Sequence, residues 1–254
     1  WNGGSVTGSD DNGINVAGGP VSLTLKDLII SDNGLVPYDW SEKNGLFANS
    51  NNVSLFLENV QITNHPGESF YWYCNGSISA KNLSASSNGR DALVLAGCAV
   101  TSGREWDLAE AGIPVVITNS INVNTGGVVS ITPGTTLGFE TSKTLSVNQD
   151  GALYALGTAD YPIVFSRAYD TQTGPTAWGG LKNEKGTMIL RHCDVSYSNF
   201  DSPFGAEGYG LILGSSSTTP PTNSVIQNCK IHDNDIGISA LAPTSSTTSI
   251  LYNE

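Results

Sequence analysis

The chain has 254 residues, of which 39% are hydrophobic and only 13% are charged, and its formal net charge is −12. This acidity excludes nucleic acid and anionic membranes as natural partners, because both would be repelled. No apolar run long enough to cross a bilayer as a helix occurs, so no membrane span is predicted.

One sequence pattern recurs in the first part of the chain. Residues 12–32 read NGINVAGGPVSLTLKDLIISD, residues 44–64 read NGLFANSNNVSLFLENVQITN, and GSISAKNLSASSNG at 76–89 is a shorter third copy. Apolar and polar residues alternate as in a strand with one buried face. Each copy also has one Asp or Asn in the same slot, namely Asp27, Asn59 and Asn82. Asp and Asn tolerate left-handed turns, so the pattern predicts short strands that pair with the next copy as stacked parallel sheets.

Four consecutive aromatic residues follow in ESFYWYCNG, residues 68–76. Because alternate strand residues face opposite sides, two large rings of this run are expected to point outward. Exposed rings on a sheet can stack against sugars, and the loop LVPYDW would extend such a surface. The candidate carbohydrate-binding residues are Tyr38, Trp40, Tyr71, Trp72 and Tyr73. The alternative is that the loop at 35–43 folds over the strand and buries these rings.

The four cysteines fall into two pairs. Cys193 and Cys229 occupy equivalent places in LRHCDVSYSN (190–199) and IQNCKIHDN (226–234), and Cys74 and Cys98 are expected to stack in the same way. No CxxC motif occurs, which argues against zinc. Two alternatives remain for each pair: a disulfide between neighbouring repeats, indicating an oxidising compartment, or buried free thiols.

Between the repeats, loops are expected at about 35–50, 100–112, 170–176 and 200–208. One short helix is expected in DLAEAG, residues 107–112.

The second half of the chain carries the most specific motifs. ITPGTTLGF (131–139), GALYALGTADYPIVF (151–165) and AWGGL (177–181) stand in this order. They resemble a module of secreted and surface-exposed microbial proteins with right-handed parallel β-helix repeats, over roughly residues 115–240. The resemblance implies a pectate-lyase-like fold. It implies a scaffold more than a reaction, since β-helix proteins include polysaccharide lyases and hydrolases, adhesins and phage tail proteins.

Arg191, Asp194 and Lys230 form the best catalytic candidate group. A lyase of this fold needs carboxylates together with an Arg or Lys that removes a proton and stabilises an enolate. The copies at 190–199 and 226–234 place Asp194 and Lys230 in equivalent slots. The alternative is an exposed charge pair of little energetic consequence.

The segment HDND, residues 232–235, offers Asp233 and Asp235 as candidate metal ligands beside His232. The same residue types are ordinary in turns. No cofactor is predicted other than a candidate calcium ion, which carboxylates would bind.

Together these patterns predict an all-β chain that forms one right-handed single-stranded parallel β-helix, a solenoid of about eight to ten coils. The single domain would span residues 1–254, with longer coils in 1–100 and the motif-bearing module in 115–254. The chain is expected to be a piece of a longer secreted or cell-surface protein.

The favoured function is a non-enzymatic surface or adhesion module that contacts polysaccharide or a cell-surface glycan. Two alternatives remain open. One is a polysaccharide lyase or hydrolase with a groove along one sheet, and the other is a structural stalk or filament subunit that associates end to end.

Overall fold

The computed structural model describes residues 1–35, 43–50, 52–74, 76–168, 177–198, 208–214, 223–241 and 247–251. Within these ranges the chain is all-β, with 26 strands and no helix. Accordingly, these ranges contain no helix that could cross a membrane.

All the strand pairs are parallel, and they form three sheets. Sheet A has 11 strands, in the order β1 (Asn2–Thr7), β3 (Val21–Ser31), β5 (Val53–Thr63), β7 (Ile78–Lys81), β11 (Gly103–Asp107), β14 (Val128–Ile131), β17 (Ala152–Leu156), β20 (Thr187–Arg191), β23 (Asn223–Gln227) and β26 (Thr247–Leu251), with β8 (Ser84–Ser86) also paired to β5. Sheet B has nine strands, in the order β2 (Ile14–Val16), β4 (Leu46–Ala48), β6 (Glu68–Trp72), β9 (Arg90–Leu95), β12 (Val115–Ile117), β15 (Thr136–Phe139), β18 (Ile163–Arg167), β21 (Cys193–Ser196) and β24 (Lys230–His232). Sheet C has six strands, in the order β10 (Ala99–Val100), β13 (Ile121–Val123), β16 (Leu145–Val147), β19 (Leu181–Asn183), β22 (Tyr209–Gly214) and β25 (Ile236–Leu241).

The order in which the chain visits the sheets is regular. From β9 onward the strands fall on sheets B, C and A in constant rotation. Each sheet therefore grows by one strand per repeat, and neighbouring strands come from consecutive repeats. This arrangement is compatible with a parallel β-helix.

The predicted repeats align in the structure as the sequence indicates. Strand β3 pairs with β5 from Val21 opposite Val53 through Ser31 opposite Thr63. The later copies align likewise, with β20 against β23 and β21 against β24. The predicted turn slots all have positive φ angles, at Asp27, Asn59, Asn82, His192 and Asn228.

Side chains in the turn slots also stack on one another. The amide of Asn59 donates to Asp27 Oδ1 at 2.8 Å, and the amide of Asn82 donates to Asn59 Oδ1 at 3.1 Å. Each short polar side chain thus fits the left-handed turn and also forms a hydrogen bond with the side chain in the neighbouring turn. These two requirements are the physical reason that Asp or Asn recurs at this position.

A continuous apolar core runs between the sheets. Its largest fully buried side chains include Trp72, Trp106, Trp178, Phe70, Phe139 and Phe165. Trp178 of the AWGGL motif stacks on Phe139 with ring centroids 4.4 Å apart, and its indole N–H donates to the Ser196 carbonyl at 2.8 Å. This tryptophan is therefore a core residue.

The short helix predicted at 107–112 is wrong, and so is the loop predicted over 100–112. Strand β11 occupies much of that region and buries Trp106. The following carbonyls of Glu110 and Ala111 accept backbone hydrogen bonds from Asn82 and Leu83 at 2.9 and 2.8 Å. Backbone hydrogen bonds to the preceding repeat thus hold this segment in place of a helix. The loop predicted at 35–50 is wrong in part, because strand β4 lies within it, and residues 36–42 lie outside the described residues. The loops predicted at 170–176 and 200–208 also lie outside the described residues, except residue 208.

The two cysteine pairs differ. Cys74 and Cys98 form a disulfide with a Cα–Cα distance of 5.5 Å, which is the first of the two alternatives. Cys193 and Cys229 are buried free thiols, which is the second alternative.

The hydrogen bonds of the free thiols explain this difference. The Cys193 N–H lies 3.4 Å from Cys229 Sγ, while the thiol of Cys229 donates to the Gln227 carbonyl at 3.3 Å. The Cys193 thiol lies 3.4 Å from the Ala155 carbonyl. Hydrogen bonding with Cys229, together with burial, raises the pKa of the Cys193 thiol, so it remains protonated.

Candidate functional site: a groove on the outer face of sheet B

The outward side chains of sheet B form a column with one member per strand, because strand residues alternate between the two faces. After Asn15 on β2, the column changes in character along the sheet, from aromatic through aliphatic and glycine to polar. In order, its members are Asn15, Phe47, Tyr71, Val94, Val116, Gly138, Ser166, Ser196 and His232.

A groove of about 420 Å³ opens over the middle and polar end of this column. Its floor is small and apolar, formed by Val116, Gly138 and Val164. Ala168 packs closely against Gly138, since a Cβ on residue 138 would lie 2.9 Å from the Ala168 Cα. Polar groups form the far wall, contributed by Ser166, Arg167, Asp194, Ser196, Tyr197 and His232.

An imidazole between two carboxylates forms part of this wall. His232 Nε2 lies 3.1 and 3.2 Å from the two Asp194 carboxylate oxygens, and His232 Nδ1 lies 2.7 Å from Asp233 Oδ2. The hydrogen bond from His232 lowers the pKa of Asp233. In this arrangement both ring nitrogens of His232 face a carboxylate.

A cation and an aromatic ring complete the wall. The Arg167 guanidinium carbon lies 4.4 Å from the centroid of the Tyr197 ring, within cation–π distance. The Tyr197 ring centroid is 6.2 Å from that of His232. Tyr197 follows β21 directly and has a φ of 61°, a left-handed turn at the end of the strand. The groove therefore presents an aromatic ring beside hydrogen-bonding groups.

The structure brings together two members of the predicted catalytic group. Asp194 and Lys230 are register partners on β21 and β24, as the repeats indicate. Arg191 lies on sheet A, where it pairs with Leu156 and Gln227, and its side chain is exposed. The turn at His192 separates the sheets, so Arg191 is not among the residues that line the groove.

The predicted aromatic platform is only partly formed. Trp72 is fully buried and donates its indole N–H to the Val53 carbonyl at 2.9 Å, so it presents no face to a ligand and its assignment as a sugar-binding residue is corrected. Tyr71 points outward, half-buried, with its ring 5.1 Å from that of Phe47. Tyr73 is half-buried. Tyr38 and Trp40 lie outside the described residues.

The outer face is closed between Tyr71 and the groove. There the small side chains of Ala92, Val94, Val116 and Ala168 form a buried apolar cluster against which Tyr71 packs. The aromatic end of the column and the groove are consequently two separate surfaces of the same face.

The candidate metal ligands do not converge. Asp233 contacts His232, whereas Asp235 Oδ2 accepts a hydrogen bond from the backbone N–H of Gly208 at 3.0 Å. Among the described residues, no group of three or more His, Cys, Asp or Glu side chains is arranged to hold a metal ion.

Sequence reasoning missed Arg167, Tyr197 and Ser166. On sheet B, Thr136 is the register partner of Val164, and Val164 is the register partner of Asp194. The two pairs are separated by different numbers of residues in the sequence. Because the connecting segments differ in length, no fixed period in the sequence links residue 167 to residue 197.

Comparisons with protein-family models, with curated proteins and with solved structures gave no match. The resemblance to secreted microbial β-helix modules therefore rests on the sequence motifs alone, while the three parallel sheets are compatible with a parallel β-helix.

Proposed function

We propose that the three sheets close into a right-handed parallel β-helix, and that this β-helix is an extracellular module that binds polysaccharide along the outer face of sheet B. The observation that carries the proposal is the groove of about 420 Å³ with an apolar floor and a polar wall. Its volume lies within the range of sites for small ligands.

The chemistry of the groove fits a sugar. A pyranose ring has apolar C–H faces and a rim of hydroxyl groups. Val116 and Val164 on the floor match the apolar face, and the ring of Tyr197 offers a stacking partner. Arg167 supplies hydrogen-bond donors and Asp194 supplies acceptors for hydroxyl groups.

The extracellular assignment is supported by the disulfide between Cys74 and Cys98. Such disulfides persist in oxidising compartments and are rare in the reducing cytosol. The buried free thiols of Cys193 and Cys229 are consistent with the same compartment, because burial shields them from oxidants.

Cleavage of the polysaccharide is the second candidate, favoured by the grouping of Asp194, His232 and Asp233 at the groove. Binding without cleavage is preferred for two reasons. Carboxylates face both ring nitrogens of His232, and Arg191, one of the two candidate catalytic cations with Lys230, lies on another sheet.

The test is a panel of neutral and acidic polysaccharides, each assayed with and without calcium. Retention of the protein on the polymer and release of unsaturated or reducing ends are followed in the same samples. Retention without product supports the binding module. Release of product would show that the protein is an enzyme and not a binding module. If the protein is not retained and no product is released, the structural stalk is the alternative that remains.

A further inference from the structure

A second, smaller cavity adjoins the groove. It has a volume of about 220 Å³, and Val164 and Asp194 line both cavities. The two spaces therefore meet at β18 and β21. The smaller cavity, called the side pocket below, also includes His192, Asn228 and Lys230 in its lining. It is smaller than sites that hold a whole small ligand, so its size suits a substituent of a ligand held in the groove.

Lys230 lines the side pocket and brings a positive charge to it. Lys230 is the register partner of Asp194, but both oxygens of Asp194 are within hydrogen-bond distance of His232. In the part of the chain that the structure describes, no carboxylate forms an ion pair with the exposed Lys230. Its charge is thus open to an external anion.

A second donor comes from the turn slots at the edge of the side pocket. The Asn228 amide lies 3.3 Å from His192 Nε2, and only the amide nitrogen can donate in that pair. Nε2 is then the acceptor, which leaves the proton of the neutral ring on Nδ1. His192 thereby carries an N–H donor in the lining of the same cavity as Lys230.

We propose that the side pocket is an anion subsite, which binds a negatively charged substituent of the polysaccharide whose backbone lies in the groove. This inference rests on the proposed function. The recognised chemistry is an anionic group with acceptor oxygens, as in a uronate carboxylate or a sulfate ester, held by charge-assisted hydrogen bonds. Asp194 also lines the pocket, and both of its carboxylate oxygens are within hydrogen-bond distance of His232.

The test compares three oligosaccharides with one backbone: a neutral cello-oligosaccharide, its C6-oxidised uronate form and its 6-sulfated form. Dissociation constants are measured for the wild type, for Lys230→Gln and for the matched control Lys182→Gln. Lys182 lies on β19 in sheet C and does not line the pocket. Circular dichroism and thermal unfolding confirm that each variant is folded.

The proposal predicts that an anionic form binds the wild type about tenfold more tightly than the neutral form, and that this preference falls with added salt. Lys230→Gln should abolish the preference without weakening neutral binding, and Lys182→Gln should change neither. Whether the uronate or the sulfate binds more tightly identifies the substituent. An unchanged preference in Lys230→Gln, or no preference in the wild type, overturns the subsite alone if the neutral oligosaccharide still binds. If no form binds the wild type, the proposed function fails as well.

Discussion

His232 bridges two carboxylates at the groove, with Nε2 3.1 Å from Asp194 Oδ1 and Nδ1 2.7 Å from Asp233 Oδ2. The partners come from different strands, since Asp194 lies on β21 and His232 on β24. The contact therefore fixes the position of a groove carboxylate across two repeats.

Replacing this bridge should affect ligand binding more than folding. We expect His232→Ala to weaken binding to a retained polysaccharide by about five- to tenfold, because Asp194 loses the partner that orients it. The free energy of unfolding should fall by no more than about 1 kcal/mol, the usual scale for partly exposed ion pairs. Asp233→Asn is the control, since Asp233 does not line the groove and its loss should leave affinity within about twofold. Denaturant unfolding measures the stability of each variant, and binding assays measure its affinity. Unchanged affinity in His232→Ala would contradict the role of His232 in orienting Asp194.

A buried histidine should make stability depend on pH. The Asn33 amide donates to His65 Nε2 at 3.0 Å, and His65 Nδ1–H donates to Asn88 Oδ1 at 3.1 Å, so the neutral ring is fully paired. Burial is the main cause that lowers the pKa of His65. The unfolded state therefore binds the proton more readily than the folded state. Stability is fully present above the unfolded-state pKa near 6.5 and is lost as the pH falls below it, by at most about 1.4 kcal/mol per pH unit for one proton.

The measurement is the free energy of unfolding between pH 7.5 and pH 5 for the wild type and for His65→Asn. Asparagine already occupies the neighbouring ladder positions at Asn33 and Asn88, so it should preserve hydrogen bonding while removing the titration. We expect a smaller pH slope in His65→Asn than in the wild type. Equal slopes in the two proteins would refute the assignment to His65.

Thiol chemistry should distinguish the two cysteine pairs. We expect two reactive thiols in the unreduced protein after denaturation and four after reduction, because only Cys74 and Cys98 form a disulfide. Replacing both disulfide cysteines by serine should lower the free energy of unfolding by about 3 kcal/mol, the loop-closure value for a separation of 24 residues. The matched change of Cys193 and Cys229 to alanine should cost less, and its cost should not depend on reductant. No reactive thiols before reduction would mean that both pairs are oxidised.

The two faces of strand β6 should respond differently to mutation. We expect Trp72→Phe to lower the free energy of unfolding by about 1–3 kcal/mol, because it leaves the buried Val53 carbonyl without the indole N–H and opens a small cavity. Polysaccharide affinity should not change. Tyr71→Phe is the control on the outward face and should cost less stability. A Trp72→Phe variant that kept its stability and lost affinity would restore the sugar-platform hypothesis for this residue.

The sequence predicted the register between paired strands well. It predicted less well whether a given side chain points into the core or outward. Aligned copies and recurring turn slots identify Val21 with Val53 and Asp194 with Lys230, because a stacked repeat keeps its register. The aromatic run was ambiguous, because alternation alone does not tell which of its residues point into the core and which point outward. A signal was present one repeat earlier, where Ala48 is the register partner of Trp72 and leaves room for the buried indole.

The groove itself could not be predicted from the repeats. It depends on Gly138, against which Ala168 packs closely, and on Arg167 and Tyr197, which meet only through tertiary packing. These residues follow strands joined by segments of unequal length, and their relation is not periodic.

The most direct test of the proposed binding surface is to block the groove without disturbing the core. Thr136 is exposed at the groove, and Thr136→Trp should fill the space over the floor while the protein stays folded. Thr24→Trp is the matched control, an exposed threonine on sheet A that pairs with Phe56. Retention on the polysaccharide that best holds the wild type is measured for both variants. The account predicts at least tenfold weaker retention for Thr136→Trp and unchanged retention for Thr24→Trp, whereas equal retention of the two variants would contradict it.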